Sequence, residues 1–441
     1  MDSECFEEAR YGVAVWIQGG KLVDPVRNRV EELDLLIEGD RVVKILPTGV
    51  FSDTGPRLKR IDARNRLVVP GLVDMHVHLR EPGYEHKETI ATGSLSGVAG
   101  GFTALACMPN TRPVNDQRTV TEFILARAGE ANLCRVYPIA AITRGQQGGT
   151  LTDFAELRKA GAVGVSDDGQ PVKNRELMRQ AMELGRSLGL AVISHCEDLN
   201  LSAGGMMHEG AVSSHLGLRG IPAASEEVMV RREISLAQET GFPVHIAHVS
   251  TAGSVEWIRR AKEEGIPVSA ETAPHYFSLD HRAVEEYNTC AKMNPPLREP
   301  GDVEAIKKGL AEGVIDVIAT DHAPHSQAEK NVAFEKAPFG IVGLETAVPL
   351  TLRLIREGIL TWPEAVRKLS YLPATLLGVA GGVLREGAVA DLSILDPEYS
   401  YVVKAEEMRS KSKNSPFIGW SMKGINVMTM VGGRIVWERN I

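Results

Sequence analysis

The chain has 441 residues, 43% hydrophobic and 24% charged, an ordinary globular composition with enough apolar material for one large barrel plus a smaller domain, or for two or three average domains. The formal net charge is −8, and no long block carries one sign. Nucleic acid and a polybasic membrane contact are therefore not expected.

The N-terminal MDSECFEEAR is acidic and lacks the basic and apolar regions of a signal peptide, and no apolar run approaches a membrane span. A cytoplasmic protein is expected. The five cysteines (Cys5, Cys107, Cys134, Cys196 and Cys290) are odd in number and form no CxxC pair. That argues against a disulfide framework or a cysteine-rich zinc site and leaves any metal to histidine and carboxylate. Residues 12–63 carry short alternating runs with turn glycines, GVAVWIQGGKLV and LDLLIEGDRVVKIL, which read as antiparallel strands. Between Leu67 and His325 lie eight apolar, β-branched runs: LVVPGLVDMHVHL, FTALACMPN, RVYPIAAIT, AVGVSDDG, AVISHCED, PVHIAHVS, PVSAETAPH and VIDVIATDHAPH. Most are separated by helical patterns such as RELMRQAMELGRSLG, where apolar residues recur three or four apart and glycine closes the helix. Eight alternating units predict an α/β fold, a (β/α)8 TIM-type barrel over residues 67–383, rather than an open doubly wound sheet. The tail, with DLSILD, INVMTMVGG and RIVWE, reads as strands again. Residues 12–66 and 384–441 are thus expected to meet in one small β-sandwich built from both chain ends.

Active sites of such barrels lie at the C-terminal ends of the strands, and polar residues collect there. Strand one ends in His76 and His78, strand four in Asp167-Asp168, strand five in His195, strand six in His248 and strand eight in Asp321. Strand alternation puts Asp74, His76, His78 and Arg80 on one face of the first strand and Val73, Met75, Val77 and Leu79 on the other. It aligns His195 with Ile193, His248 with Ile246 and Asp321 with Ala319, and it turns His245 away. Beyond a strand end alternation does not hold, so Asp167 and Asp168 remain interchangeable. Four histidines and two or three carboxylates from five strands suit a hydrolytic divalent metal, zinc before others, with a position open for water. An HxH pair alone is weak; the conjunction carries the reading. His86, His208, His215, His275, His281 and His322 read as loop, outer or surface residues, Asp74 as deeper support and Cys196 as packing. The glycine-rich TRGQQGGT and SAGGMMHEG follow strands three and five, so they read as rim lids or plain connectors.

The stretches DMHVHLREPG, ACMPNT, SDDG, ISHCED, IAHVST, KMNPPLR, IATDHAPH and FGIVGLET resemble, in order, the motifs of class I dihydroorotases within the amidohydrolase superfamily, over nearly all of the chain from about Gly12. The resemblance implies that His76, His78 and Asp321 bind a first metal, that His195 and His248 bind a second, and that Asp168 bridges them; one-metal and two-metal occupancy both stay open. It also implies that Arg80 and Asn110 hold a substrate carboxylate, with His78, Asn294, His325 and the Phe339-Gly340 backbone around the ring. The implied activity is the reversible, zinc-dependent cyclisation of N-carbamoyl-L-aspartate to dihydroorotate in pyrimidine biosynthesis, with Asp321 carrying the proton between nucleophile and leaving nitrogen.

Hydantoinases, dihydropyrimidinases and allantoinases share the barrel and the HxH but usually bridge their metals with a carbamylated lysine on strand four. Here AVGVSDDG contains no lysine; Lys159 precedes it and Lys173 follows. That departure favours dihydroorotase and leaves a hydantoinase-type cyclic-amide hydrolase as runner-up. A third class, non-catalytic dihydroorotase-like partners of aspartate carbamoyltransferase, is expected to lose metal ligands, whereas this chain keeps every one. Association with that transferase, and a homo-oligomer, are further implications of the resemblance.

Overall fold

The computed structural model describes residues 14–50 and 58–440; Cys5 lies outside them. Each of the eight runs yields one barrel strand: β1 (Leu72–Val77), β2 (Phe102–Cys107), β3 (Arg135–Ala140), β4 (Gly164–Ser166), β5 (Ala191–Ser194), β6 (Val244–Ile246), β7 (Val268–Thr272) and β8 (Val317–Ile318). They pair in sequence order in one parallel eight-stranded sheet. The ends meet where Val77 bridges in parallel to His322 and His78 N donates to His322 O at 2.9 Å. This is the expected (β/α)8 barrel.

The first run is two strands, not one. Leu67–Pro70 pairs antiparallel with Leu392–Val402 and parallel with Ala14–Asp24, so it belongs to the terminal sheet, and the barrel begins after Gly71. A Cβ at Gly71 would stand 2.2 Å from Thr103 Oγ1, so the crossing from sheet to barrel needs glycine. The small β domain expected from both chain ends is a single mixed sheet of eight strands, five from the N-terminal side and Leu392–Val402, Ser421–Val431 and Arg434–Glu438 from the other. It surrounds its own core of Ile17, Leu35, Ile37, Val42, Ile394 and Met430.

Helices form where periodicity and caps agree. In Arg175–Leu188, Asn174 Oδ1 accepts from the backbone N of Glu176 and Leu177, Gly189 closes the end at φ 65°, and Met178, Ala181, Met182 and Gly185 are buried. Each such methionine contributes roughly 1.5–3 kcal/mol of burial. Inside the barrel Met75, Ala106, Ile139, Ile193, Ala247, Val317 and Ala319 pack together with Leu377 of the helix Leu372–Leu377.

Strict alternation fails in β1. Met75 fills this interior, while Val77 and Leu79 join Val98 and Leu105 in the outer layer, so the four apolar residues of the segment do not share one face. The register against β2 shifts between Asp74 and Val77. Such an irregularity re-aims side chains near a strand end, and here it lets His76 reach the cluster above Met75. Among the described residues no helix is long and apolar enough to cross a membrane.

Candidate metal centre and active site

Asp168, just past β4, stands at the centre of the strand ends. Its Oδ1 lies 3.4 Å from His76 Nε2, 3.4 Å from His248 Nε2 and 3.5 Å from His195 Nδ1, and its Oδ2 lies 3.5 Å from His78 Nε2. Asp321 Oδ1 is 3.1 Å from His78 Nε2 and 3.6 Å from His76 Nε2. All six residues are buried. Asp167 turns the other way, where it accepts from Thr143 N at 3.0 Å and from Thr143 Oγ1 and so anchors the loop after β3.

Outer partners fix how the imidazoles face this centre. His76 Nδ1 donates to Glu271 Oε1 at 2.5 Å, His78 Nδ1 to Asn110 Oδ1 at 2.9 Å and His195 Nε2 to Glu197 Oε2 at 2.9 Å. With one nitrogen protonated on the outside, the other presents its lone pair to Asp168. His76 Nε2 and Asp168 Oδ1 are buried without a hydrogen-bond partner, a costly state that a shared cation would relieve. Two groups, His76/His78/Asp168 and Asp168/His195/His248, each bring their ligand atoms within 4.8 Å of one another. Imidazole nitrogen and carboxylate oxygen in this number fit a divalent metal.

Electrostatics agree with an ionised carboxylate set. Burial pushes the Asp168 carboxyl up, but the neighbouring His76, His195 and His248 imidazoles outweigh it and hold it well below the usual range. Burial likewise opposes ionisation of Glu271, which His76 and His245 keep low, and of Glu197, which His195 brings down to about 2. Asp74, by contrast, is pushed up to about 7 by burial; it accepts from His76 N at 3.1 Å and from Thr320 N at 3.2 Å, so it supports the site from below.

The expectation that His245 faces away is overturned. Ala247 lies in the barrel interior and Ile246 in the outer layer, so alternation places His245 inside, where its Nε2 donates to Glu271 Oε2 at 3.3 Å. His248 then turns inward as well, because its backbone is left-handed at φ 36° and breaks the alternation. Arg80 and Asp321 share that conformation at φ 63° and 46°. Strain of this kind, about 1–3 kcal/mol per residue, collects at functional sites.

Arg80 sits at the rim, its Nε donating to Pro324 O at 3.2 Å; burial lowers its pKa to about 10, so it stays charged at neutral pH. Beside it His325 Nε2 donates to Phe339 O at 2.8 Å and Nδ1 accepts from Lys87 Nζ at 3.2 Å. A Cβ on Gly340 would stand 2.5 Å from Ala323 O and 2.7 Å from His325 Cδ2, so this backbone closes on His325 only as glycine. Asn110 meets His78, and Asn294 Nδ2 donates to Glu197 Oε2 at 3.0 Å. Arg80, His325, Phe339 and Gly340 therefore form one side of the site, Asn110 and Asn294 the side nearer the histidines.

Sequence reading missed Glu197, His245 and Glu271. Glu197 follows His195 by two residues, and Glu271 is a carboxylate inside a barrel strand, a placement that needs a partner. The glycine-rich loop after β3 is tied to the site, since Gln146 Nε2 donates to Asp168 O at 3.1 Å. His208, His281 and Glu299 also bring ligand atoms within 4.8 Å, but Arg298 donates to His208 Nδ1 at 3.3 Å. A fixed positive charge on that imidazole opposes a cation there.

A family profile described as "Dihydro-orotase-like" matches residues 65–254. The dihydroorotase of Syntrophus aciditrophicus (strain SB) is 50% identical over 428 residues, covering 97% of this chain and 100% of that protein. The dihydroorotase of Pelotomaculum thermopropionicum is 53% identical over 426 residues, covering 96% and 99%. Among solved structures, the L-hydantoinase (dihydropyrimidinase) from Arthrobacter aurescens is similar with a TM-score of 0.85 at 26% identity, covering 97% of this chain and 96% of that one.

Proposed function

Because the chain belongs to the dihydroorotase family, we propose that it interconverts N-carbamoyl-L-aspartate and dihydroorotate at the Asp168-centred site, with zinc as the metal. It is a metal-dependent cyclic amidohydrolase. The observation that carries the substrate assignment beyond the relatives' names is Asp168 itself: β4 and its loop offer a carboxylate, not a lysine, to both histidine groups. Imidazole and carboxylate donors suit zinc. The four described cysteines are unpaired, which supports a cytoplasmic setting.

His76, His78 and Asp321 would hold one ion and His195 and His248 a second, with Asp168 common to both. When bound, the metal supplies Lewis acidity and an ionised nucleophile near neutral pH. Arg80 presents a planar fork that, with Asn110, receives the carboxylate next to the ring nitrogen and sets the ring amide over the cluster. Burial raises the Asp321 carboxyl, yet His76 and His78 keep it below its ordinary range, so it begins as a base. In ring opening it takes the proton of the attacking water as the C–O bond forms, and it gives that proton to the ring nitrogen as the C–N bond breaks. Cyclisation runs the same transfers in reverse. His325 and the Phe339-Gly340 backbone close the side of the ring.

The test is turnover of dihydroorotate, hydantoin and dihydrouracil by the purified protein, before and after chelation and zinc restoration. Zinc-restorable activity with dihydroorotate far ahead is expected. A preference for the uncharged rings would replace this reading with the hydantoinase type.

A further inference from the structure

Between two strands of the small β domain, residues 408–415 run against the mouth of the barrel. Glu345 Oε1 accepts from Arg409 N at 2.8 Å and Ser410 N at 3.0 Å, and the buried Glu88 accepts from Lys411 N at 3.0 Å and from Ser410 Oγ. Ser412 Oγ donates to Lys87 O at 2.6 Å. The segment ends in Asn414, 3% exposed. Asn414 Oδ1 accepts from His325 N at 3.0 Å, and Nδ2 donates to both Ala323 O and Gly340 O at 3.0 Å. Its own carbonyl accepts from Val342 N at 3.1 Å. The side-chain amide thus spends both hydrogens and its oxygen on two loops, the one after β8 and the one carrying Phe339 and Gly340.

Those loops also carry His325, Gly340 and Pro324 O, the anchor of Arg80 Nε. We propose that Asn414 is a positioning residue, supplied by the small β domain, that sets the gap between the two loops and so aligns the Arg80 and His325 side of the substrate pocket. The proposal rests on the reading of Arg80 as the group that grips the substrate carboxylate. Asn414 is a hydrogen-bond partner of neither Asp168 nor the five residues around it, so its removal acts on substrate recognition and spares the metal centre. The loops keep other ties, Gly340 N to Lys292 O and Ala323 N to Ile341 O, both at 2.9 Å. Losing Asn414 therefore loosens the clamp without freeing it, and leaves His325 N, Ala323 O and Gly340 O short of a partner.

The experiment compares the zinc-loaded wild type with Asn414→Ala and Asn414→Ser, and with Ser412→Ala, which cuts a tether of the same segment away from both loops. Melting temperature, metal content, kcat and KM for dihydroorotate and the inhibition constant of orotate, a ring with the same carboxylate, are measured. Asn414→Ala is expected to raise KM and the orotate constant roughly tenfold, the scale of a small misalignment, with kcat and metal content within about twofold. Asn414→Ser, with one hydroxyl for three bonds, falls between, and Ser412→Ala matches the wild type. Unchanged KM in a folded variant, a loss confined to kcat, loss of metal, or failure of both Asn414 variants to fold would each overturn the proposal. A wild type that ignores dihydroorotate would instead refute the substrate reading.

Discussion

Replacing Glu271 by glutamine is expected to weaken zinc binding 10- to 100-fold while the barrel stays folded. Glu271 is buried at 1% exposure, accepts from His76 Nδ1 through Oε1 at 2.5 Å and from His245 Nε2 through Oε2 at 3.3 Å. Glutamine has one acceptor oxygen and one donor nitrogen, so one of the two imidazole N–H groups must lose its acceptor. If that group is His76, its proton is no longer held outside, and the Nε2 lone pair aimed at Asp168 is no longer guaranteed. A charge-assisted hydrogen bond is worth about 1.5–3 kcal/mol, which converts to roughly 10- to 100-fold in affinity and coincides with the usual effect of outer partners on ligating histidines. Competition with a chromophoric chelator at fixed pH measures it, with circular dichroism as the control. His245→Gln, which leaves the bond between His76 and Glu271 in place, should change affinity several-fold less. Wild-type affinity in a folded Glu271→Gln protein would refute the argument that Glu271 orients His76.

Asp168→Ala should lose most bound metal and nearly all turnover with its fold intact, because the interior packing of Ile139, Ile193 and Val317 lies below the rim; Asp167→Ala should keep its metal, and the reverse pattern in elemental analysis would exchange the two roles. Asp321→Asn keeps the size but cannot accept a proton, so turnover in both directions should drop at least the roughly 10²-fold of general acid–base catalysis, and a near-normal rate would exclude it as the shuttle. Burial and the neighbouring Arg298 hold His208 at about 4 against an ordinary 6.5, so between those values the folded state binds fewer protons than the unfolded one. Its contribution is therefore complete above pH 6.5 and is lost as pH falls towards 4. His208→Gln should flatten the slope of stability against pH in that window, and an unchanged slope in denaturant titrations would contradict the assignment.

Much of this was legible in the sequence because barrel strands announce themselves by their apolar runs and their polar ends. Alternation placed His195 correctly, since β5 is regular up to that residue; Asp321 reaches the same centre although β8 ends at Ile318 and its own backbone is left-handed. It failed in β1, where the register shifts between Asp74 and Val77, and in β6, where a left-handed His248 follows Ala247; neither irregularity leaves a glycine or proline signal at the residue concerned. The choice between Asp167 and Asp168 needed the Thr143 contact, which joins two different loops. Glu271 and Asn414 were invisible for the same reason: each acts by a hydrogen bond across 195 residues (to His76) or 89 residues (to His325) of chain, and no local pattern encodes such a pairing. The boundary at Gly71 was hidden because the apolar Leu67–Pro70 runs straight on into the apolar Leu72-Val73 on its other side.

Whether this metal site serves a substrate bearing a carboxylate is decided by kcat/KM of wild type and Arg80→Met for dihydroorotate and for dihydrouracil, with metal content determined on both proteins. Dihydrouracil lacks the carboxylate that Arg80 is assigned to hold. With Arg80 assigned to that carboxylate, the wild type should strongly prefer dihydroorotate and Arg80→Met should lose roughly 10- to 10³-fold on it with bound metal and dihydrouracil turnover little changed. Full dihydroorotate activity in the folded mutant, or a wild type that prefers dihydrouracil, would contradict it.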